Sequence, residues 1–468
     1  MSAPSPRGAC PGLSAPMPTG DGLLVRLAPT EALPVDAFAG LCTSARRHGN
    51  GIMEVTARGG LQVRGLTPRS APPFADEVSR LGIAASDGVP ILTNSLPDHP
   101  GAVIDAGPLA AELRRALAKV PLALAPKVSV VIDGGSPLHL DALTADIKLR
   151  VSGPREAPQW LLAVQARRAT APPPPERGRV GEGVAGNGHG TGGNAADPHP
   201  NPPPEEGGGS PAEQGGGGIA WLGAVAPERA SDVVLSLLRE IAALGPQARA
   251  GDLLRSRSID ALRQEFRIAR VPAPVRRPPA QMIGPHRLRD ASLAICIALP
   301  FGHAEADTLA ELARRAALHG VREFRPAPDR VLMLIGVSPA RALDLATVAA
   351  ELGFIVDADD SRRRIAACPG APACASGFIA ARQLAAALAP RLAGLPDGIA
   401  IHISGCAKGC AHPGTAALTV VGDLRGCGIV RNGTARATPS YHVAPAELVA
   451  HLAADIARVP ATGEAVHG

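Results

Sequence analysis

The sequence predicts an α+β protein with two similar halves, joined by a disordered Gly/Pro-rich linker. Two observations predict this fold class. A helix–strand–turn–strand order occurs twice, and a central stretch has almost no apolar residues to bury. With 468 residues, 46% of them hydrophobic, the chain is long enough for two or three domains with ordinary cores.

The repeated order is predicted first over residues 32–66 and again over residues 305–337. The segments HGNGIMEVTARGGLQVRGL, from His48, and HGVREFRPAPDRVLMLIGV, from His319, align without a gap. Two later segments, KVSVVIDGG and IAIHISGC, are both apolar strands that end in a glycine turn, and each follows an Ala/Leu-rich helical stretch. The shared order indicates an internal duplication.

The clearest boundary in the chain is the Gly/Pro-rich stretch over residues 172–218. A segment with so few apolar residues cannot offset the entropy of ordering its backbone. We therefore expect a disordered linker or insertion that separates the two halves.

Composition and charge exclude several classes of partner. The net charge is only +5, no Lys/Arg block is dense, and aromatic residues make up 2% of the chain, so no nucleic-acid partner is expected. No secretory signal and no long apolar run is recognisable, which predicts a cytoplasmic protein without a membrane span. In a reducing compartment, clustered cysteines indicate metal or redox chemistry rather than disulfides.

Four cysteines form such a cluster. Cys368 and Cys374 lie in CPGAPACASG, and Cys406 and Cys410 lie in GCAKGCAHPG. Thiolates bind iron tightly, and four of them hold a cubane. Short Gly/Pro-rich loops let the sulfurs converge and expose backbone N–H groups to them. The pattern predicts a [4Fe–4S] cluster.

A structural zinc site is the alternative interpretation of these cysteines. Zinc pairs usually have two to four intervening residues, so the C-x5-C spacing counts against zinc. The remaining cysteines are isolated. Cys42 and Cys296 are predicted to fill the core, and Cys427 is predicted to lie in a turn.

The four cysteines with GCxxGCxHP resemble the cluster signature of the sulfite and nitrite reductase superfamily. The stretch TARGGLQVRG, from Thr56, is similar to its T-x-R-x-x-x-Q-x-R-G tetrapyrrole-binding motif. The duplicated halves match its pseudo-twofold architecture, and the resemblance covers nearly the whole chain except the linker and the N-terminal tail. It implies two pseudo-symmetric halves of ferredoxin-like and sulfite-reductase-like mixed sheets with helices.

The resemblance also suggests domain boundaries. The predicted units are a disordered tail (1–20), a first ferredoxin-like half-domain (21–90), a first sulfite/nitrite reductase-like domain (91–170), the linker (171–218), a second ferredoxin-like half-domain region (219–360) and a second sulfite/nitrite reductase-like domain with the cluster (361–468).

Within the superfamily the chain resembles the precorrin-3B synthase branch. Sulfite and nitrite reductases typically carry a K-x-K pair that binds the small oxyanion. Here Lys127 remains and Ser129 replaces the second lysine. An arginine usual near Asn94 is also absent, and PLAAELRRAL, from Pro108, looks like this branch. The alternatives are a siroheme-dependent nitrite or sulfite reductase and, in a different class, a non-catalytic cluster carrier or zinc-stabilised scaffold.

The resemblance implies the following chemistry. Precorrin-3A becomes precorrin-3B when one oxygen atom of O2 hydroxylates the ring and an acetate closes as a lactone. Electrons come from an external donor, NADH through a reductase or a ferredoxin, and the cluster relays them. An additional iron is a further option, and siroheme is expected only under the reductase alternative.

The resemblance also implies site residues. Cys410 is the cluster ligand nearest the tetrapyrrole. Arginine forks grip carboxylates, and the substrate carries several of them, so cationic and amide side chains are expected to bind it. The predicted substrate-binding residues are Arg58, Gln62, Arg64, Asn94 and Lys127; no catalytic residue is assigned.

Overall fold

The computed structural model describes residues 11–85, 88–120, 122–166, 214–215, 218–392 and 401–456. Most of the predicted linker lies outside these ranges. In the described residues no helix is both long and apolar enough to cross a bilayer.

The described secondary structure alternates strands and helices. The strands are β1 (Met17–Thr19), β2 (Gly22–Leu27), β3 (Leu33–Pro34), β4 (Ile52–Val55), β5 (Leu61–Leu66), β6 (Ile91–Thr93), β7 (Val130–Asp133), β8 (Ile147–Ser152), β9 (Gln159–Gln165), β10 (Gln214–Gly215), β11 (Ile219–Val225), β12 (Gly284–Arg287), β13 (Leu293–Ala298), β14 (His303–Glu305), β15 (Glu323–Ala327), β16 (Val331–Val337), β17 (Ile365–Ala367), β18 (Ile401–Ser404), β19 (Ala416–Asp423), β20 (Gly426–Gly433) and β21 (Tyr441–Val443). The helices are α1 (Val35–His48), α2 (Ala71–Arg80), α3 (Gly107–Lys119), α4 (Ala230–Ala243), α5 (Ala250–Ser256), α6 (Ile259–Phe266), α7 (Ala306–Leu318), α8 (Ala342–Glu351), α9 (Ala381–Leu388) and α10 (Leu448–Ile456).

The two halves repeat with a constant offset of 271 residues. Adding 271 to the bounds of β2 (22–27) gives those of β13 (293–298), and adding it to α2 (71–80) gives α8 (342–351). Gly65 and Gly336, 271 residues apart, both have a positive φ, 72° and 101°, a region that favours glycine. The predicted pseudo-symmetric halves are confirmed.

The two ferredoxin-like units exchange edge strands. Their sheet orders are β1-β2-β5-β4-β14 and β12-β13-β16-β15-β3, so β14 of the second half completes the first sheet and β3 of the first half completes the second. Helices α1 and α7 pack against each other, and the ring of Phe38 in α1 stacks on that of Phe324 in β15 with centroids 4.4 Å apart. Both halves therefore share one hydrophobic core.

One boundary prediction is wrong at the N-terminus. Met17–Thr19 was expected in a disordered tail (1–20), but it forms β1 and pairs with β2. The tight turn between the two strands is closed by the Thr19 hydroxyl, which donates to Gly22 O. Two antiparallel segments joined by so short a turn form a hairpin at little entropic cost.

The third sheet has the order β10-β11-β9-β8-β7-β6, in which β6, β7 and β8 run parallel. One face packs on α3 and α4. Because β11 pairs with β9 and α4–α6 share this core, residues 219–266 belong with the third sheet, in the unit predicted at residues 91–170. The boundary predicted at residue 219 is therefore wrong.

The fourth sheet has the order β17-β18-β19-β20-β21, with β17, β18 and β19 parallel. It repeats the third sheet at the same offset: Val130 pairs with Ile147, and Ile401 pairs with Leu418. Cys42 and Cys296 are buried, as predicted. Cys427 lies in β20 rather than in a turn, and burial raises its pKa to about 11.

Deleting residues 172–218 should leave fold and activity largely intact. Strands β9 and β11 are antiparallel neighbours with Gln165 opposite Ile219, so residues 166–171 suffice to connect them. The urea midpoint and turnover of the deletion variant check this. Loss of turnover in a folded variant would show that the segment takes part in function.

Candidate functional site

The cysteine loops begin at the carboxyl ends of two neighbouring parallel strands. Cys368 directly follows β17, and Cys406 lies two residues beyond the end of β18. Since parallel strands end at the same edge of a sheet, the two loops meet there. The Gly405 N–H donates a hydrogen bond to Cys368 Sγ at 3.0 Å, the kind of backbone donor that stabilises a thiolate.

Glycines allow these loops to approach closely. A Cβ on Gly405 would lie 2.8 Å from Gly370 Cα, and a Cβ on Gly377 would lie 2.6 Å from Ala371 N. Both contacts are shorter than side chains tolerate, so larger residues would force the loops apart. The Gly-rich spacing between the cysteines is thus a packing requirement of the site.

The four thiols are close enough to influence one another. The pKa of Cys410 is raised, first by burial and then by the negative charges of Cys368, Cys406 and Cys374. In the described part of the chain, no three His, Cys, Asp or Glu side chains lie close enough to hold one metal ion. The charges of the other three cysteines act on Cys410, so the four thiols lie in one neighbourhood.

Near the Cys410 loop lie a buried histidine, His402, and an arginine, Arg330, that belong to no recognised motif. His402 is 0% exposed, and its ring centroid lies 5.8 Å from that of His412. Burial, with the charges of His412 and Arg330, lowers the pKa of His402 to about 4. Arg330 donates from Nη2 to Ala411 O at 3.2 Å, one residue beyond Cys410.

Arg330 occupies a strained backbone position. Its φ is 62°, and Gly59, the residue 271 positions earlier, has a φ of 81°. The repeat therefore keeps a left-handed turn and places an arginine where the first half has glycine, at a small cost in strain. The duplication could have pointed to this residue.

Arg64 is buried in an ion-pair network instead of lying open to a ligand. Its guanidinium binds Asp21 bidentately, with Nε–Oδ2 at 2.9 Å and Nη2–Oδ1 at 2.8 Å, and lies 3.6 Å from Glu54. It also donates to the carbonyl of Ala373, beside Cys374. Arg382 of α9 donates to Glu54 at 2.6 Å. The network ties the first sheet to the cysteine loop.

The charge balance of this network favours ionised carboxylates. Burial alone would raise the pKa of Asp21, but hydrogen bonds from Arg64 and Thr19 and the charge of Arg64 outweigh it, so this pKa lies below its usual value. Burial acts against the charge of Arg64 too, and Asp21 and Glu54 more than compensate, so the pKa of Arg64 is raised.

Gln62 lies on the same face of β5 as Arg64 and joins the same network. With its amide oriented to satisfy its neighbours, its nitrogen donates to Glu54 Oε2 at 2.7 Å, and its oxygen accepts from Arg26 Nε at 2.9 Å. The expected common face for Gln62 and Arg64 thus exists, but it faces the protein interior.

Arg58 lies apart from that pair, in the tip of the β4–β5 hairpin. It reaches the third sheet, where Nη2 donates to Ser129 Oγ at 3.0 Å and Nη1 donates to Thr144 O at 2.9 Å. Arg58, the first arginine of the tetrapyrrole-binding motif, is therefore in direct contact with Ser129, the residue that replaces the second lysine of K-x-K.

Two hairpin tips meet between the third and fourth sheets. They are residues 56–60 and residues 327–331, joined by a bridge between Arg58 and Pro328 and by a 3.1 Å hydrogen bond from Asp329 N to Ala57 O. One tip contacts Ser129 through Arg58, and the other contacts the Cys410 loop through Arg330. The tips thus connect the two ends of the candidate site.

Asn94 and Lys127, the other two predicted substrate-binding residues, lie at opposite extremes of exposure. Asn94 is 7% exposed; it donates to Asp133 Oδ1 at 3.1 Å and accepts from Gly134 N, so it organises the end of β7. Lys127 is exposed just before β7, and its carbonyl accepts from Arg249.

Comparisons with known proteins agree with this geometry. No family model matches the chain. A precorrin-3B synthase from Sinorhizobium sp. is 35% identical over 441 residues, covering 93% of this chain and 85% of that protein. The sulfite reductase [NADPH] hemoprotein beta-component of Xanthomonas euvesicatoria pv. vesicatoria (strain 85-10) is 31% identical over 152 residues, 29% of this chain and 26% of that protein. The solved structure of the Mycobacterium tuberculosis NirA protein superposes with a TM-score of 0.70 at 18% identity, over 95% of this chain and 82% of that one.

The chain has the fold of the NirA structure, and part of it is similar to a sulfite reductase hemoprotein component. It belongs to the precorrin-3B synthase family, a family of oxidoreductases, because the similarity to such an enzyme extends over nearly all of both sequences. It is accordingly an enzyme of cobalamin biosynthesis that acts on a tetrapyrrole.

The substitution Arg64→Met should destabilise the fold by about 3–5 kcal/mol, because it leaves buried carboxylates unpaired. The matched control is Arg314→Met, which removes an exposed arginine paired with Glu311 and should leave the stability almost unchanged. Urea unfolding of both variants measures the difference. Equal stabilities would show that the Arg64 network is energetically neutral.

The Arg64 effect should also depend on pH. The folded-state pKa of Asp21 is below its unfolded value of about 3.9, so its contribution is complete above that value and is lost as pH falls through the folded pKa. The stability gap between wild type and Arg64→Met should therefore narrow in acid.

Proposed function

We propose that this protein inserts one oxygen atom of O2 into precorrin-3A and so forms precorrin-3B. The observation that carries the proposal is the pair of hairpin tips. They join the Arg58–Ser129 contact to the loop of Cys410, so a macrocycle between the sheets would touch both. In this arrangement a tetrapyrrole carboxylate meets Arg58 at one end while the electron source lies at the other.

The proposed electron source is a [4Fe–4S] cluster held by Cys368, Cys374, Cys406 and Cys410. Support comes from their mutual electrostatic influence, the N–H donor of Gly405 and the glycine-permitted approach of the loops. Such a cluster supplies electrons one at a time at a potential set by its hydrogen bonds and burial. The superfamily resemblance adds weight to iron–sulfur and siroheme-type cofactors.

The proposed overall reaction balances in atoms and electrons. One oxygen atom enters the bridging carbon between rings A and D, and the ring A acetate closes as a lactone. The second oxygen atom takes up two electrons and two protons and leaves as water. The electrons come from a reduced external donor, formally NADH through a reductase or a ferredoxin, in the cytoplasm.

The proposed roles of the substrate-binding residues now differ from one another. Arg58 is retained as a carboxylate binder, because its guanidinium lies at the edge of the third sheet beside Ser129. Lys127, which is exposed and lies two residues before Ser129 in the sequence, is a second candidate. Arg64, Gln62 and Asn94 are proposed to act indirectly: their polar groups are occupied within the protein, and they hold the elements that carry the site.

The reductase alternative receives less support. A site that reduces a small oxyanion needs closely spaced cations. In this chain Ser129 occupies the position of the second lysine of K-x-K, and its hydroxyl accepts a hydrogen bond from Arg58. A serine there adds no positive charge. The similarity to a sulfite reductase covers only 29% of the chain.

The test is turnover of precorrin-3A under isotopically heavy O2 with a reductant. Mass analysis should find one heavy oxygen in the product. Cys406→Ser, expected to lose the cluster, should abolish turnover, and Cys427→Ser should retain it, since Cys427 lies within β20. No incorporation by the wild type, together with tightly bound siroheme and reduction of nitrite or sulfite, would favour the reductase.

A further inference from the structure

One face of the third sheet carries charged side chains that the predicted site does not use. Side chains alternate along a strand, so Ser129, Val131 and Asp133 share one face of this segment. Val131 pairs with Lys148, and Asp133 pairs with Arg150, in the parallel neighbour β8. Paired residues point to the same side, so Lys148 and Arg150 lie on the face of Ser129.

Lys148 is a buried lysine on this face, with 7% of its surface exposed. Its ammonium donates to the backbone carbonyl of Asp141 at 3.2 Å. Burial lowers its pKa, the carboxylates of Asp141 and Asp133 oppose that effect, and the nearby charge of Arg58 adds to it. An ammonium that is out of water needs an anionic partner to be stable.

The two neighbouring carboxylates are already bound to another cation. Arg277 donates to Asp141 Oδ2 at 2.9 Å and to Asp133 Oδ2. Arg150 lies 3.8 Å from Asp141 as well. On this face Lys148, Arg150 and Arg277 therefore meet two carboxylates, which leaves one positive charge in excess.

The internal duplication shows that this lysine is not part of the common scaffold. The residue 271 positions later is Thr419, which is 0% exposed and donates from its hydroxyl to Gly433 O at 2.8 Å. The counterpart of Arg150 is Val421, also buried. The half without the cysteines has thus placed cations where the half with them has small or apolar residues.

We propose that Lys148, in β8, binds a carboxylate of the tetrapyrrole together with Arg58, and so places a cation on the sheet face where Ser129 stands in place of a lysine. The inference rests on the proposed function, because it takes the substrate to be a tetrapyrrole with carboxylate side chains. A carboxylate bound to Arg58 would lie close to the ammonium of Lys148, and its negative charge would offset the buried positive charge of the lysine.

The experiment uses the full-length protein with its cluster, under nitrogen, and precorrin-3A as the probe. The chain has only four lysines, Lys119, Lys127, Lys148 and Lys408. Acetylation with acetic anhydride, mapped by peptide mass analysis, reports on each lysine with and without the probe. Precorrin-3A should protect Lys148 and leave Lys119, which is exposed at the end of α3, unprotected.

Binding by absorbance titration gives the second readout. Lys148→Met should weaken precorrin-3A binding by about 10- to 100-fold, Lys148→Arg should recover most of the loss, and Lys119→Met should bind like the wild type. If Lys148→Met does not fold, protection in the wild type and the Lys148→Arg affinity still decide the matter.

The outcomes separate the inference from the proposed function. If the wild type binds and converts precorrin-3A but Lys148 is unprotected and Lys148→Met binds equally well, the inference is overturned and the proposed function stands. If the wild type neither binds nor converts precorrin-3A, both are overturned.

Discussion

The structure depends on the guanidinium of Arg64. It joins a turn near the N-terminus, through Asp21, to the first sheet and to the carbonyl of Ala373 in the cysteine loop. A buried arginine with two carboxylates is stable only while all partners remain in place. The geometry of the loop that carries Cys374 is therefore tied to the fold of a domain far away in sequence. We therefore propose that Arg64, the second arginine of the tetrapyrrole-binding motif, acts by positioning this loop and not by touching the ligand.

The duplication places different side chains at equivalent positions of the third and fourth sheets. The third and fourth sheets both place a strand–glycine turn at the same register, 271 residues apart. In the fourth, Cys406 and Cys410 follow that turn. In the third, Asp133 binds Arg277 at the end of the strand, and Lys148 and Arg58 lie near its start. The exchange of β3 and β14 between the first and second sheets fixes these two sets of side chains relative to each other.

Much of this could be predicted from the sequence, because it rests on local patterns. The helix–strand–turn–strand repeat, the cysteine spacing and the loss of a lysine at Ser129 are all visible in short segments. The burial of Arg64 and Gln62 in an ion-pair network was not predictable, because their partners Asp21 and Glu54 belong to no motif. The same holds for Lys148, which only strand register and burial reveal. Arg330 could have been found by aligning the two repeats, because it occupies the position of Gly59. The boundary error at residue 219 has a similar cause, since β11 pairs with a strand that precedes the predicted linker.

The central claim is that a four-cysteine cluster and a bound tetrapyrrole lie side by side. Electron paramagnetic resonance of the reduced protein, recorded under nitrogen before and after saturation with precorrin-3A, tests it most directly. The account predicts the signal of a reduced [4Fe–4S] cluster whose line shape changes when the tetrapyrrole binds. An unchanged spectrum with the tetrapyrrole demonstrably bound, or no cluster signal in protein with its four cysteines intact, would contradict it.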